Sequence, residues 1–221
     1  MQSLEKLKII RGVVREGFAF PSIFLPFFLV SLLSSVLTSD LIVSSFGSSF
    51  GLILSLAVLL FLTPLSAGLI ISLDRQIRFG EGGPNLKEML EVIRPYYWLL
   101  VGTNLLTWLA VFIGVILLIV PGLFLMVKLV FVNQEILLGE KREVESILRG
   151  SWDLTAGYWL EIFNLLLLLI LPLMAVEALS LNLSPAWIAT IRLVVGTAVQ
   201  TWLIMAATRA YEKIKTEKEE D

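Results

Sequence analysis

Apolar and polar stretches alternate in long blocks along the chain. Apolar runs occupy about 18–38, 50–73, 97–120, 122–138, 158–181 and 186–210. A helix needs roughly 20 such residues to cross about 30 Å of hydrocarbon, and every run but the fourth reaches that length. The fourth borrows residues from the polar stretch behind it. Pro21, Pro26, Pro64 and Pro172 fall inside the runs, where neighbouring helices can satisfy the freed carbonyls, so kinks are expected rather than breaks. The pattern predicts an all-α polytopic membrane protein: six transmembrane helices in three hairpins, one integral membrane domain over 1–221. The charged tail 211–221 is expected to fray into solvent.

A shorter periodicity precedes three of the spans. Asn85 and Glu88 fit a capping box, and Leu86, Met89, Leu90 and Ile93 follow at i, i+3, i+4 and i+7 spacing before Pro95. Val144, Ile147, Leu148 and Trp152 form a second stripe, and Leu4, Leu7, Arg11 and Val14 a poorer third. These predict short amphipathic helices lying at the interface. The recurrence reads either as a weak internal repeat at roughly 60–80 residues or as chance similarity between apolar segments.

Charge adds an orientation. Fifteen of the seventeen lysines and arginines lie before the first span, between spans 2 and 3, between spans 4 and 5, or after span 6. The positive-inside rule then puts those segments and both termini in the cytoplasm, with the protein in the plasma or inner membrane. The three outer connections carry no cation, and the Pro121-Gly122 pair reads as the turn joining spans 3 and 4.

Composition narrows the chemistry. With 57% hydrophobic residues, 16% charged residues and a mean hydropathy of +0.88, the surface cannot be that of an ordinary soluble domain. Cysteine and histidine are both absent. That removes disulfides, thiolate metal sites, thiol nucleophiles and the commonest general base, so no enzyme activity and no cofactor is expected. "FGEGGPN" at 79–85 lacks the ending of a phosphate-binding loop and reads as a turn. No basic-aromatic surface suggests nucleic acid; the cytoplasmic cations suit anionic lipid headgroups.

Two cations stand apart, Lys128 and Arg192. Counting about 1.5 Å per residue, Lys128 lies roughly 9 Å below the outer end of span 4, Arg192 at a similar depth on span 6, and Glu177 roughly 6 Å deep on span 5. Convergence of Lys128, Glu177 and Arg192 is the expectation, as an ion pair or an anion site, with independent snorkelling to the headgroups as its rival. Deeper towards the inner face, Asn104, Thr107, Asn133, Glu135, Glu161, Asn164 and Gln200 put polar atoms on spans 3–6, either for interhelical hydrogen bonds or for a solute path.

One segment carries a resemblance. "PGLFLMVKLVFVNQEILLGEKREVESILRGSWDLTAGYW", residues 121–159, is similar to the membrane domain of the glycerophosphoryl diester phosphodiesterase family and to related uncharacterised six-span inner-membrane proteins. The matching positions are Pro121, Gly122, Lys128, Glu135, Gly139, Ser151, Leu154, Thr155, Gly157 and Trp159. The basic residue is more often arginine in those proteins, and their Ala-Leu pair reads Ile147-Leu148 here. The catalytic domain of such phosphodiesterases uses histidines and a metal-binding carboxylate set. The resemblance therefore implies a membrane module alone. The function expected is that of a lipid-interacting module or of an accessory module beside a membrane-protein partner; the alternative is a small-solute transporter or channel.

Overall fold

The computed structural model describes residues 3–37, 48–80, 85–139, 142–179 and 185–220. Among these the protein is all helix: α1 (Ser3–Ala19), a 3-10 turn (Pro21–Phe24), α2 (Leu25–Leu37), α3 (Ser48–Phe79), α4 (Leu86–Ile93), a second 3-10 turn (Arg94–Tyr96), α5 (Tyr97–Leu117), α6 (Ile119–Lys128), α7 (Val132–Leu138), α8 (Val144–Leu154), α9 (Trp159–Leu179) and α10 (Pro185–Glu220). Five helical stretches among the described residues are long and apolar enough to cross a membrane. A sixth is added if the pair Leu7–Ala19 and Pro21–Leu33, bent by 101°, is taken as one span.

The surface is broadly apolar, and the mostly apolar interior also holds polar and charged groups. Trp98, Trp108, Phe112 and Ile116 stand exposed along α5, while Asp74, Gln134, Glu135 and Thr201 are buried. A soluble monomer rarely shows contiguous apolar surface on that scale, and hydrocarbon is the solvent that suits it. One core cluster gathers Val13, Phe27, Ile70, Leu165 and Met205 from five helices and Phe131 from the turn between α6 and α7. A second joins Ile93, Leu100, Val132, Ile136 and Ile147 around α4, α7 and α8.

Asn85 caps α4 as expected, but the reciprocal box does not form, because Glu88 accepts from the Asn85 side chain and not from its backbone N–H. Its side chain accepts from the Lys87 N–H (3.1 Å) and donates to Glu88 (2.8 Å), while its own N–H goes to Gln76 Oε1 at 3.0 Å. Of the α4 stripe, Met89 and Ile93 turn inward and Leu86 and Leu90 outward. Pro95 does not stop the helix for long: α4 runs through the 3-10 turn into α5 as one apolar stretch, Leu86–Leu117. In α8, Ile147 is fully buried and Trp152 half exposed.

Four expectations are corrected. Pro21 starts a 3-10 turn at a sharp bend instead of kinking a span, because its ring suits a first position where no N–H bond is required. Pro121 and Gly122 are not the turn. The chain reverses at Leu118, whose backbone is extended (φ −162°, ψ 144°), and Pro121 falls in the first turn of α6. Gly122 serves packing: a Cβ there would lie 2.3 Å from Val115 Cγ2 and 2.7 Å from the Val115 nitrogen, so its bareness lets α5 and α6 touch. Span 4 stands as one apolar stretch, Ile119–Leu138, but its helix is interrupted at 129–131. The tail does not fray up to Glu220, since α10 continues with Lys213 and Glu217 paired at 3.7 Å and the Tyr158 hydroxyl donating to Glu217 at 2.9 Å.

Candidate functional site

The break between α6 and α7 organises the segment singled out by its motif. A helix that stops inside an apolar region strands carbonyls at one end and N–H groups at the other. Ser151, fully buried on α8, answers both: its hydroxyl donates to the Lys128 carbonyl at 2.8 Å and accepts from the Phe131 N–H at 3.2 Å. Lys128 Nζ reaches back to the Trp152 carbonyl at 3.3 Å and lies 5.1 Å from the Trp152 ring centroid and 5.7 Å from that of Phe124. A cation over aromatic faces is attracted by the ring quadrupole, which offsets part of the cost of its burial.

The other motif positions surround this clamp. Thr155 Oγ1 donates to the Trp152 carbonyl at 2.9 Å, closing α8. Gly157 carries a φ of +86°, the one positive φ among the described residues, and lets the chain turn into α9. Trp159 stacks on Phe163 with centroids 5.3 Å apart and on Phe124 at 6.0 Å. Leu154 packs against the larger core. Gly139 ends α7 where a Cβ would meet the Glu135 carbonyl at 2.4 Å, and Arg142 donates to the carbonyls of Ile136 and Gly139, both at 3.1 Å. Beside the clamp, Glu135, Gly139, Asp153, Lys215, Lys218 and Glu219 line a recess of 420 Å³, where Lys218 donates to the Asp153 carbonyl at 2.5 Å.

Lys128 therefore does not join Arg192. It sits at the level of Trp152 and Asp153, beside Lys218, and Arg192 precedes Lys218 by 26 positions on the continuous α10, about 39 Å away. Glu177 stands 18 positions beyond Trp159 on α9, about 27 Å from that level, and its side chain lies outside the described residues. The depth count failed because span 4 is interrupted and because α9 and α10 reach farther than the α5–α6 hairpin.

The deeper polar set is only partly brought together. Asn104 donates to Asn133 at 2.7 Å and to the Leu100 carbonyl at 2.8 Å. Gln134 donates to Thr208 at 3.4 Å, and Thr107 has a buried hydroxyl with no hydrogen bond. Glu135 faces the recess, Glu161 and Asn164 are half-buried, and Gln200 is exposed.

Two features went unseen in the sequence. The first is a buried charge network. Asp74, fully buried, accepts from Arg78 and Arg209, both at 2.9 Å; Arg209 also binds Glu16, and Arg78 grips Glu212 through two bonds of 2.7 and 3.2 Å. With Arg75 3.9 Å from Glu212, three cations meet three carboxylates and bolt α1, α3 and α10 together. The lone charges at the ends of apolar runs, with Asp74 and Arg78 at i,i+4, were its only sequence signal. The second is a cleft of 640 Å³ between the α1–α2 bend and helices α9 and α10, walled by Phe18, Phe24, Phe28, Pro172, Val195 and Trp202. No group of three or more acidic, histidine or cysteine side chains suited to a metal occurs among the described residues.

The model of a family described as a domain of unknown function (DUF7847) matches residues 98–211, just over half of the chain, from the start of α5 to well into α10. The clamp lies inside that region and α1 outside it. No curated protein matches the chain. No solved structure matches it either.

Proposed function

The chain belongs to the DUF7847 family, and on that premise we propose that it is a multi-pass membrane module without catalytic activity that holds membrane lipid in the cleft between its first hairpin and its last. The reading threads the chain six times as three hairpins, with the basic segments and both termini in the cytoplasm and the plasma or inner membrane as its home. It keeps the resemblance to the membrane domain of glycerophosphoryl diester phosphodiesterases as a likeness of membrane architecture. An accessory role beside a membrane-protein partner is compatible with it.

The observation that carries the proposal is the apolar cleft. A pocket of 640 Å³ with aromatic and aliphatic walls has the size and lining of a small-molecule site. Its wall begins at Phe18, at the entry to the first apolar run, and continues to Trp202 within α10, as an acyl chain passing from headgroup to hydrocarbon would require. A solute path has less support, because Asn104 and Asn133 satisfy each other and neither lines the cleft or the recess.

The test is extraction of the full chain in native-lipid discs followed by mass spectrometry of the retained lipid. Phospholipid should stay with the protein in near-stoichiometric amount and be lost from Ala198→Phe, which fills the cleft. Equal lipid retention by both proteins contradicts the proposal.

A further inference from the structure

α1 carries a feature that neither the clamp nor the charge network uses. Lys8, Arg11 and Arg15 are exposed, and among the described residues none of them has an ion pair or a hydrogen bond to another side chain. They stand at i, i+3 and i+7, and Phe18 follows at i+10, so all four fall within about 80° of one helical face. Phe18 is 73% exposed and is also a wall of the apolar cleft. A row of three cations thus ends, one helical turn on, at the mouth of an apolar slot.

The opposite face of α1 fixes this row in place. Val13 and Gly17 are buried, and Glu16 binds Arg209. Gly17 lies so close to α10 that a Cβ would come within 2.6 Å of the Trp202 ring nitrogen. Helix α1 therefore cannot roll to hide its cations, and the 101° bend after Ala19 lays it across the direction of the following helix. A helix so placed beside a span runs along the headgroup layer, with cations at the level of lipid phosphates.

We propose that the cleft and the Lys8–Arg11–Arg15 row form one site for an anionic glycerophospholipid, its acyl chain among Phe24, Phe28, Pro172 and Trp202 and its phosphate against the three cations. The inference rests on the lipid-module reading and adds the charge class of the lipid. Complementarity decides the class: three cations without an ion-pair partner among the described residues favour a headgroup with net negative charge over a zwitterionic one, by a margin that shrinks as salt screens it.

The test uses the full chain, delipidated in a neutral detergent, titrated separately with phosphatidylglycerol and with phosphatidylcholine and read by native mass spectrometry. Wild type should bind phosphatidylglycerol tighter by on the order of tenfold or more. K8Q/R11Q/R15Q, which alters only exposed side chains, should keep phosphatidylcholine binding and lose the preference. Ala198→Phe should lose both lipids. Equal affinity of wild type for the two lipids, or a preference that survives the triple substitution, overturns the anionic site and leaves the broader reading standing, whereas lipid binding that survives Ala198→Phe overturns both. Binding of neither lipid by wild type brings down both.

Discussion

The hydroxyl of Ser151 donates to the carbonyl of Lys128 across 2.8 Å, and by that one bond an amphipathic helix plugs the break in an apolar one. The same oxygen accepts the Phe131 N–H, so one side chain serves both broken ends. Removing it leaves a buried carbonyl and a buried N–H without partners, at a cost of about 1–3 kcal/mol. Ser151→Ala should lower the unfolding free energy in detergent by that amount. Thr216→Ala, which deletes an exposed hydroxyl bonded within its own helix, should stay within about 0.5 kcal/mol of wild type. Equal stability of the two variants would sink the plug.

Asp74 and Arg209 make a second prediction. Asp74 is fully buried against a half-buried Arg209, so removing Arg209 strands a buried charge and removing either partner should cost about 3–5 kcal/mol. Asp74→Asn and Arg209→Gln are each expected to destabilise strongly, and the double variant by much less than the sum. A double-mutant cycle in a denaturant titration measures the coupling; additive losses refute a shared network.

Two glycines separate close packing from mere helix propensity. Gly122→Ala places a methyl 2.3 Å from Val115 Cγ2 and should destabilise by about 1–3 kcal/mol. A Cβ at Gly196, inside α10, meets nothing within 4 Å, and Gly196→Ala should stabilise by about 0.5–1 kcal/mol. The pair is read from thermal unfolding under identical detergent conditions, and shifts of the same sign would show that the α5–α6 contact is not the constraint at Gly122.

How far the sequence could be read depended on the range of the physics involved. Apolar runs of about 20 residues announce helices because the signal is local, and the Asn85 cap was legible because its partners Lys87 and Glu88 are two and three residues away. The break after Lys128 was hidden because an apolar run looks the same whole or broken, and the residue that satisfies it stands 20 positions beyond Phe131. Asp74 and Arg209, 135 apart in sequence, each looked like a charge at the end of a span until folding brought them together. The C-terminal helix escaped notice for a related reason. Its charged residues match a fraying tail in composition, and partners distant in sequence tie them down: Tyr158 to Glu217, Asp153 to Lys218 and Arg78 to Glu212.

The account stands on hydrocarbon surrounding this bundle and on the basic connections sharing one side of it. Since the chain has no cysteine, single cysteines report side without background. Ser49→Cys and Glu143→Cys, both exposed positions, are to be labelled in intact cells with a membrane-impermeant maleimide, before and after permeabilisation. The account predicts that position 49 labels in intact cells and position 143 only after permeabilisation; labelling of both before permeabilisation, or of neither, contradicts it.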